Sequence, residues 1–160
     1  MKPESTGKPE SPTLFFPLGL PGLERYRHFS VAPVPDNRYF LLLQSEDEPE
    51  IGLLLLDPFP LFPDYSCPLS GSDWQDLKLK RREELLIYTT VNILPEGPCT
   101  NLAAPLAINA AARLGKQVYL SRYGAQLRVP LISRVARLSG EGESGGAAGQ
   151  CGIIKIGAVP

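Results

Sequence analysis

Short apolar runs, each about the length of a β-strand, recur along the middle of the chain between prolines, glycines and polar turns. They are Phe29–Pro33, Arg38–Gln44, Ile51–Leu56, Leu85–Ile93, Gln117–Arg122 and Leu127–Ile132, and all draw on β-branched, leucine or aromatic side chains. Pro21-Gly22, Pro35-Asp36-Asn37 and Tyr123-Gly124 supply turn chemistry between them. This spacing predicts a mainly β fold, a sandwich or small barrel. Helical signals are fewer. Ser72 is placed to cap a short helix from Asp73, with Trp74 and Leu77 on one face. Leu131, Ile132, Val135 and Leu138 stand at helical spacing after Pro130. Ala103–Leu114 has the composition of a helix, and Pro105 allows one to begin there.

Composition sharpens this picture. Of 160 residues, 15 are glycine and 17 proline, while 43% are hydrophobic: a chain that folds but is heavily punctuated. The ends differ from the middle. Residues 1–12 are polar with three prolines and read as an N-terminal arm. Residues 139–150 read as a Gly/Ser/Glu-rich linker, and residues 151–160 as an apolar tail holding Ile153, Ile154 and Ile156. That tail is expected either to fold back on the domain, 13–138, or to meet a partner.

The net charge of −1 argues against a strongly basic polynucleotide binder. It conceals a split: residues 1–76 carry five Lys/Arg against twelve Asp/Glu, and residues 77–160 eleven against five. The N-terminus has no apolar core of a secretory signal, and no run approaches the ~20 apolar residues of a spanning helix. Cys67, Cys99 and Cys151 lack the spacing of a disulfide framework or a zinc site. The expectation is a cytoplasmic protein with reduced thiols and no membrane contact.

Catalytic chemistry has little to build on. His28 is the single histidine, and no nucleophile elbow, phosphate-binding loop, dinucleotide fingerprint or zincin motif occurs. Glu46, Asp47, Glu48 and Glu50 lack the glycine-centred loop of a calcium site. The chain reads as a non-enzyme without metal or cofactor.

Two stretches carry the information. In Leu41–Tyr65, two apolar runs flank the acidic connector, as in a hairpin with a carboxylate-rich loop. Phe59, Phe62 and Tyr65 then alternate with Pro60 and Pro63, a segment the prolines are expected to hold extended and poor in hydrogen bonds. Those aromatics either plug the core or form an exposed patch. Six acids and no base lie between Gln44 and Asp64, which fits docking of a basic partner. In Thr100–Tyr123, Asn101 and Asn109 bracket an apolar run, suited to capping free backbone groups, and Arg113–Gln117 reads as a polar turn.

The order FPLGLPGLE (16–24), LQSE (43–46), DPF (57–59), FPDY (62–65), TNLAAPLAIN (100–109) and GKQV (115–118) resembles the FliW family of flagellar assembly factors, from about Leu14 to Leu131. The resemblance implies a small, mostly antiparallel, β-barrel-like domain with one or two short helices, and makes Pro105–Asn109 a strand rather than a helix. It further implies cytoplasmic binding of flagellin, and of the basic translational repressor CsrA, whose silencing of flagellin messenger RNA is thereby relieved. Glu46, Glu48, Asp57, Phe59, Phe62, Asp64, Tyr65, Asn101 and Asn109 are the candidate partner-binding residues. The alternative is an RNA-binding β domain in which Arg113, Lys116, Arg122, Arg128, Arg134 and Arg137 join Tyr119 and Tyr123 on adjacent strands.

Overall fold

The computed structural model describes residues 12–132. Nine strands form one sheet: β1 (Thr13–Phe15), β2 (His28–Val34), β3 (Asn37–Ser45), β4 (Gly52–Leu56), β5 (Leu85–Leu94), β6 (Gly97–Thr100), β7 (Leu106–Asn109), β8 (Leu114–Gln117) and β9 (Val129–Pro130). One helix, α1 (Gly71–Asp76), and two 3₁₀ turns, Arg82–Glu84 and Ser121–Tyr123, complete the order. The strands run β4-β3-β2-β1-β8-β7-β5, and β5 pairs back onto β4, so seven of them close a ring; β6 and β9 extend from β5. All pairings are antiparallel except β1 with β8, which meet in parallel at Phe15 and Leu114. The mainly β fold read from the sequence is the fold observed.

The pleat separates two cores. Register puts Leu43 opposite Leu53 and Val31, and Leu106 opposite Tyr88, on one face. Leu14, Phe16, Phe29, Leu43, Leu55, Leu106 and Ile108 are buried together there, and because they come from both arcs of the ring they fill its inside. The other face carries Leu56, Ile87, Val91 and Ala107, covered by Leu61, Phe62, Tyr65, Leu77, Val118, Leu120 and Leu131 from the long connections. Thus the ring is packed on both sides of β4, β5 and β7, which is why β7 is buried at every position.

Several expected elements shift. Gln117–Arg122 is not a strand: β8 ends at Gln117 and a 3₁₀ turn starts at Ser121. Val118 N–H still donates to Pro105 O and Leu120 N–H to Ala103 O, but Pro105 has no N–H to return, so the ladder stops. The expected polar turn at Arg113–Gln117 is largely β8 itself; the turn lies just before it, with Arg113 at φ 59°. The helix is capped by Ser70 rather than Ser72: the Ser70 hydroxyl accepts from Asp73 N–H and the Asp73 carboxylate accepts from Ser70 N–H, 3.1 Å each, a reciprocal pair. Leu127–Ile132 contracts to the two residues of β9. The arm, 139–150, 151–160 and the expected helical turn through Leu138 lie outside the described residues.

One close approach inside the ring leaves no room for a side chain on β8. The Phe16 ring packs edge-on to Phe29 at 5.5 Å and abuts Gly115 of β8, where a Cβ would stand 2.5 Å from Phe16 Cε2. Gly115→Ala is expected to cost about 2–3 kcal/mol and lower Tm by roughly 10 °C. Gly71→Ala, whose added carbon meets nothing within 4 Å, should leave the melt unchanged.

Candidate functional site: an acidic hairpin and a groove beside a strand edge

The β3–β4 hairpin presents Glu46, Asp47, Glu48 and Glu50, all exposed. Its shape is held by hydrogen bonds rather than by counter-ions. Ser45 Oγ, buried, accepts from the N–H groups of Asp47 and Glu48, both at 3.1 Å. Gln44 Nε2 donates to Pro49 O at 2.6 Å. The Tyr26 hydroxyl donates to Glu48 Oε1 at 2.8 Å, and the Thr13 hydroxyl to Glu46. Hydrogen bonding to Glu48 holds the Tyr26 phenol above its ordinary pKa. Among the described residues, the ion pairs are Lys116 with Asp73 and with Asp76, both 2.8 Å. The hairpin carboxylates therefore have no bonded cation among the described residues.

Asp57 and Asp64 are not part of that cluster. They follow the other end of β4, whose five residues put about 16 Å between the two groups. Asp57 Oδ1 accepts from Phe59 N–H at 3.3 Å, turning the chain away from β5. The segment beyond is not extended. Leu61 and Phe62 N–H donate to Pro58 O, and Tyr65 N–H to Phe62 O, two successive turns with Pro63 at the second position of the latter, which its fixed φ favours.

These turns decide the three aromatics. Phe62 and Tyr65 are core, at 8% and 6% exposure, while Phe59 is 40% exposed. The Tyr65 hydroxyl donates to Leu102 O at 2.8 Å, and its ring packs against Tyr123 and Phe59 with centroids 4.8 and 5.8 Å away. Burial raises the Tyr65 pKa strongly. Phe59 borders a groove of about 510 Å³ lined also by Asp57, Cys67, Arg82, Leu86 and Tyr88. Leu86 is 41% exposed, so the groove has an apolar floor with one charge of each sign at its margin. Burial, then Asp73, pushes the Cys67 thiol up to about 11, leaving it protonated at neutral pH.

The two asparagines serve the backbone. Asn101 Oδ1 accepts from Ala103 and Ala104 N–H at 2.9 and 3.2 Å. Asn109 Oδ1 accepts from Ala111 and Ala112 N–H, and its Nδ2 donates to Leu77 O and Lys78 O at 2.8 and 3.2 Å. At 1% exposure, Asn109 fastens the α1 connection to the sheet and presents no surface to a partner. The capping pattern is legible in the sequence; the second bond pair, 31 and 32 residues away, is not.

The basic residues are dispersed: Arg113 in the β7–β8 turn, Lys116 on β8, Arg122 in a 3₁₀ turn and Arg128 before β9. Lys116 is occupied by its two aspartates. Burial, which raises the Asp73 pKa, is outweighed by bonds from Lys116 and Ser70, so the carboxyl stays below its usual range. Arg122 Nη1 donates to Ser66 Oγ at 2.8 Å, and Arg134 and Arg137 lie outside the described residues. His28 is exposed and stacked on Phe15 at 4.8 Å. Among the described residues, no cluster of His, Cys, Asp or Glu is arranged to hold a metal, and no helix is long and apolar enough to cross a membrane.

The arrangement defines a class: a small β-ring scaffold whose displayed chemistry is a rigid carboxylate hairpin and an apolar groove. A family model described as FliW protein matches residues 4–131. The flagellar assembly factor FliW of Moorella thermoacetica is 38% identical over 114 residues, covering 69% of this chain and 72% of that protein. Those of Clostridium tetani and Magnetococcus marinus are 35% and 36% identical, each over 77% of this chain and over 86% and 76% of theirs. A crystal structure of the flagellar assembly factor FliW superposes with a TM-score of 0.68 at 28% identity, covering 74% of this chain and 84% of that one. The chain belongs to the FliW family of flagellar assembly factors.

Burial separates the neighbouring aromatics energetically. Phe62→Ala is expected to lose about 3–5 kcal/mol in a urea melt, and Phe59→Ala less than about 1.5 kcal/mol.

Proposed function

We propose that the protein is a non-enzymatic, cytoplasmic factor that binds flagellin and antagonises CsrA, coupling flagellin synthesis to secretion. The observation that carries this reading is the acidic hairpin, whose carboxylates make no ion pair among the described residues. Four carboxylates on a loop already fixed by Ser45, Gln44, Tyr26 and Thr13 keep their charge available to a basic protein, at little ordering cost on association. CsrA, a small basic dimer, fits that chemistry. Glu46 and Glu48 are the nominated residues, with Asp47 and Glu50 beside them.

The groove at Phe59 is assigned to flagellin. An exposed aromatic beside Leu86 and Tyr88, 16 Å or so of strand away from the hairpin, suits an apolar segment of a partner. Separate surfaces allow one partner to be weakened without the other. Burial of Phe62, Tyr65 and Asn109 gives them a supporting part: they shape the groove wall and anchor the connection behind it.

Charge reversal tests the hairpin. Asp47→Lys/Glu50→Lys touches no side-chain hydrogen bond of the loop, and Glu46→Lys/Glu48→Lys removes two. Both pairs should weaken CsrA binding about tenfold or more at low salt and flatten its salt dependence, measured by calorimetry with a melt as control. Unchanged CsrA affinity in both variants would defeat the assignment. Phe59→Ala should lower flagellin affinity about tenfold while CsrA affinity holds; equal flagellin binding by the variant and the parent rules the groove out.

A further inference from the structure

The groove lies along a strand edge whose hydrogen bonds are open. In β5, Glu84 O accepts from Ala110 N–H on the β7 side and Thr90 O accepts from Asn101 N–H on the β6 side. Successive residues of a strand address opposite edges, so the odd-numbered positions face β4. Thr89 and Val91 meet Leu56 and Leu54 there. Beyond Leu56 the chain leaves the sheet. Asp57 N–H still donates to Tyr39 O, but Pro58 has no N–H, and its carbonyl accepts from Leu61 and Phe62. Leu85 N–H is bonded to Arg82 O. Among the described residues, the Leu85 carbonyl and both backbone groups of Ile87 are thus left without a backbone partner, and both residues line the groove. A helix laid there would keep its own backbone bonds and shut these three groups off from water unpaired, which is unfavourable. An extended chain pairs all three.

We propose that the groove takes an extended segment of a partner protein, added antiparallel to β5 in the line that β4 vacates, with a lysine or arginine between two apolar residues. This rests on the reading of the groove as a partner site and names the chemistry of what fills it. An open N–H and an open C=O on the same residue, Ile87, match an antiparallel pair, in which one residue of the segment answers both. The next residue but one then donates its N–H to Leu85 O. Those two residues share the face of Leu85 and Ile87, where Tyr65 and Cys67 make the surroundings apolar. The residue between them takes the other face, with Leu86 and Tyr88. Asp57 is on that face too, since Leu55 is inside the ring and Leu56 outside. Burial, then the Asp57 carboxylate, holds the Tyr88 phenol above its ordinary pKa, in keeping with that placement. The register that puts Leu56 opposite Thr89 brings Asp57 opposite Tyr88, about 7 Å along the line from the middle residue of the segment. Asp57 makes no ion pair among the described residues. A lysine or arginine stem crosses exposed Leu86 and brings its charge to that carboxylate. Arg82 precedes Leu85, at the opposite end of the open edge.

Synthetic peptides and the full chain test this, the probe being acetyl-Ser-Thr-Val-Lys-Val-Thr-Ser-amide. At saturation it should slow hydrogen exchange of the Ile87 amide about tenfold or more, with β3 amides unchanged. N-methylation of either valine should weaken binding about tenfold or more, and of the lysine less than about threefold, because only alternate N–H groups of an added strand face β5. Glutamate in place of the lysine should weaken binding about tenfold in the parent and about twofold or less in Asp57→Asn. That variant keeps an oxygen for Phe59 N–H, and its melt is the folding control. Equal losses on N-methylation at all three positions, or unchanged Ile87 exchange with about 1 mM peptide, overturns the proposal. So does protection without peptide that appears as protein concentration rises from about 1 to 100 μM, because a second copy then fills the edge. Flagellin separates this from the reading beneath it. Flagellin that binds Phe59→Ala more weakly than the parent, yet leaves Ile87 exchanging as in the free chain, keeps the groove as its site and defeats strand addition. Flagellin indifferent to Phe59→Ala, with the peptide results as expected, leaves strand addition standing and removes flagellin from the groove.

Discussion

The long strand β5 is the element on which the rest depends. Its ten residues are hydrogen-bonded to β7 and then β6 along one edge, and to β4 along the other. Only the β4 contact turns an open sheet into a ring, and it is three residues long. Those residues position Leu55 inside and Leu56 outside, so one short ladder contributes to both cores. The same contact ends where Asp57-Pro58 leaves the sheet, because proline cannot extend a ladder. Ring closure and groove are therefore two consequences of one dipeptide.

Charge follows a related division of labour. Among the described residues, the basic side chains of the second half do not form a continuous face; Lys116 is drawn onto Asp73 and Asp76 of the acidic first half, pinning α1 against β8. The hairpin acids, at the far end of β3 and β4, receive no such partner among the described residues. Local hydrogen bonds from neutral groups orient them without neutralising them, which preserves a field for an incoming basic surface. A carboxylate cluster balanced by internal salt bridges would not offer that.

Particular residues show where sequence reading succeeds. Four of the expected strands lie within one residue of those observed, because Phe29, Leu43, Leu55 and Ile87 alternate or cluster as half- or fully buried strands do; the strand holding Ile108 is expected only from the family resemblance, against a composition that favours a helix. Asn101 and Asn109 cap backbone groups two and three residues on, a local interaction that spacing encodes. Misreadings are equally physical. β1 and β6, three and four residues long, carry too little periodicity to stand out. Ser70 and Ser72 are equivalent as caps until the position of Asp73 relative to each is weighed. Prolines in Asp57–Tyr65 constrain φ, yet do not say whether the chain runs straight or turns; carbonyl 58 and its two donors settle that.

By itself, the order of apolar runs, turn residues and family motifs determined a small β fold, its flagellar-assembly kinship and an acidic hairpin, since each depends on neighbours within a few residues. Only the tertiary structure decided which aromatics are surface, that the six acids fall into two groups, that Asn109 bonds a segment some thirty residues away, and that, among the described residues, Ile87 is left without a backbone partner beyond Leu56. The physical reason is common to all four. Burial and edge pairing are properties of contacts between distant strands, and a chain's local pattern does not specify which of its hydrogen-bonding groups the closing of a ring will leave open.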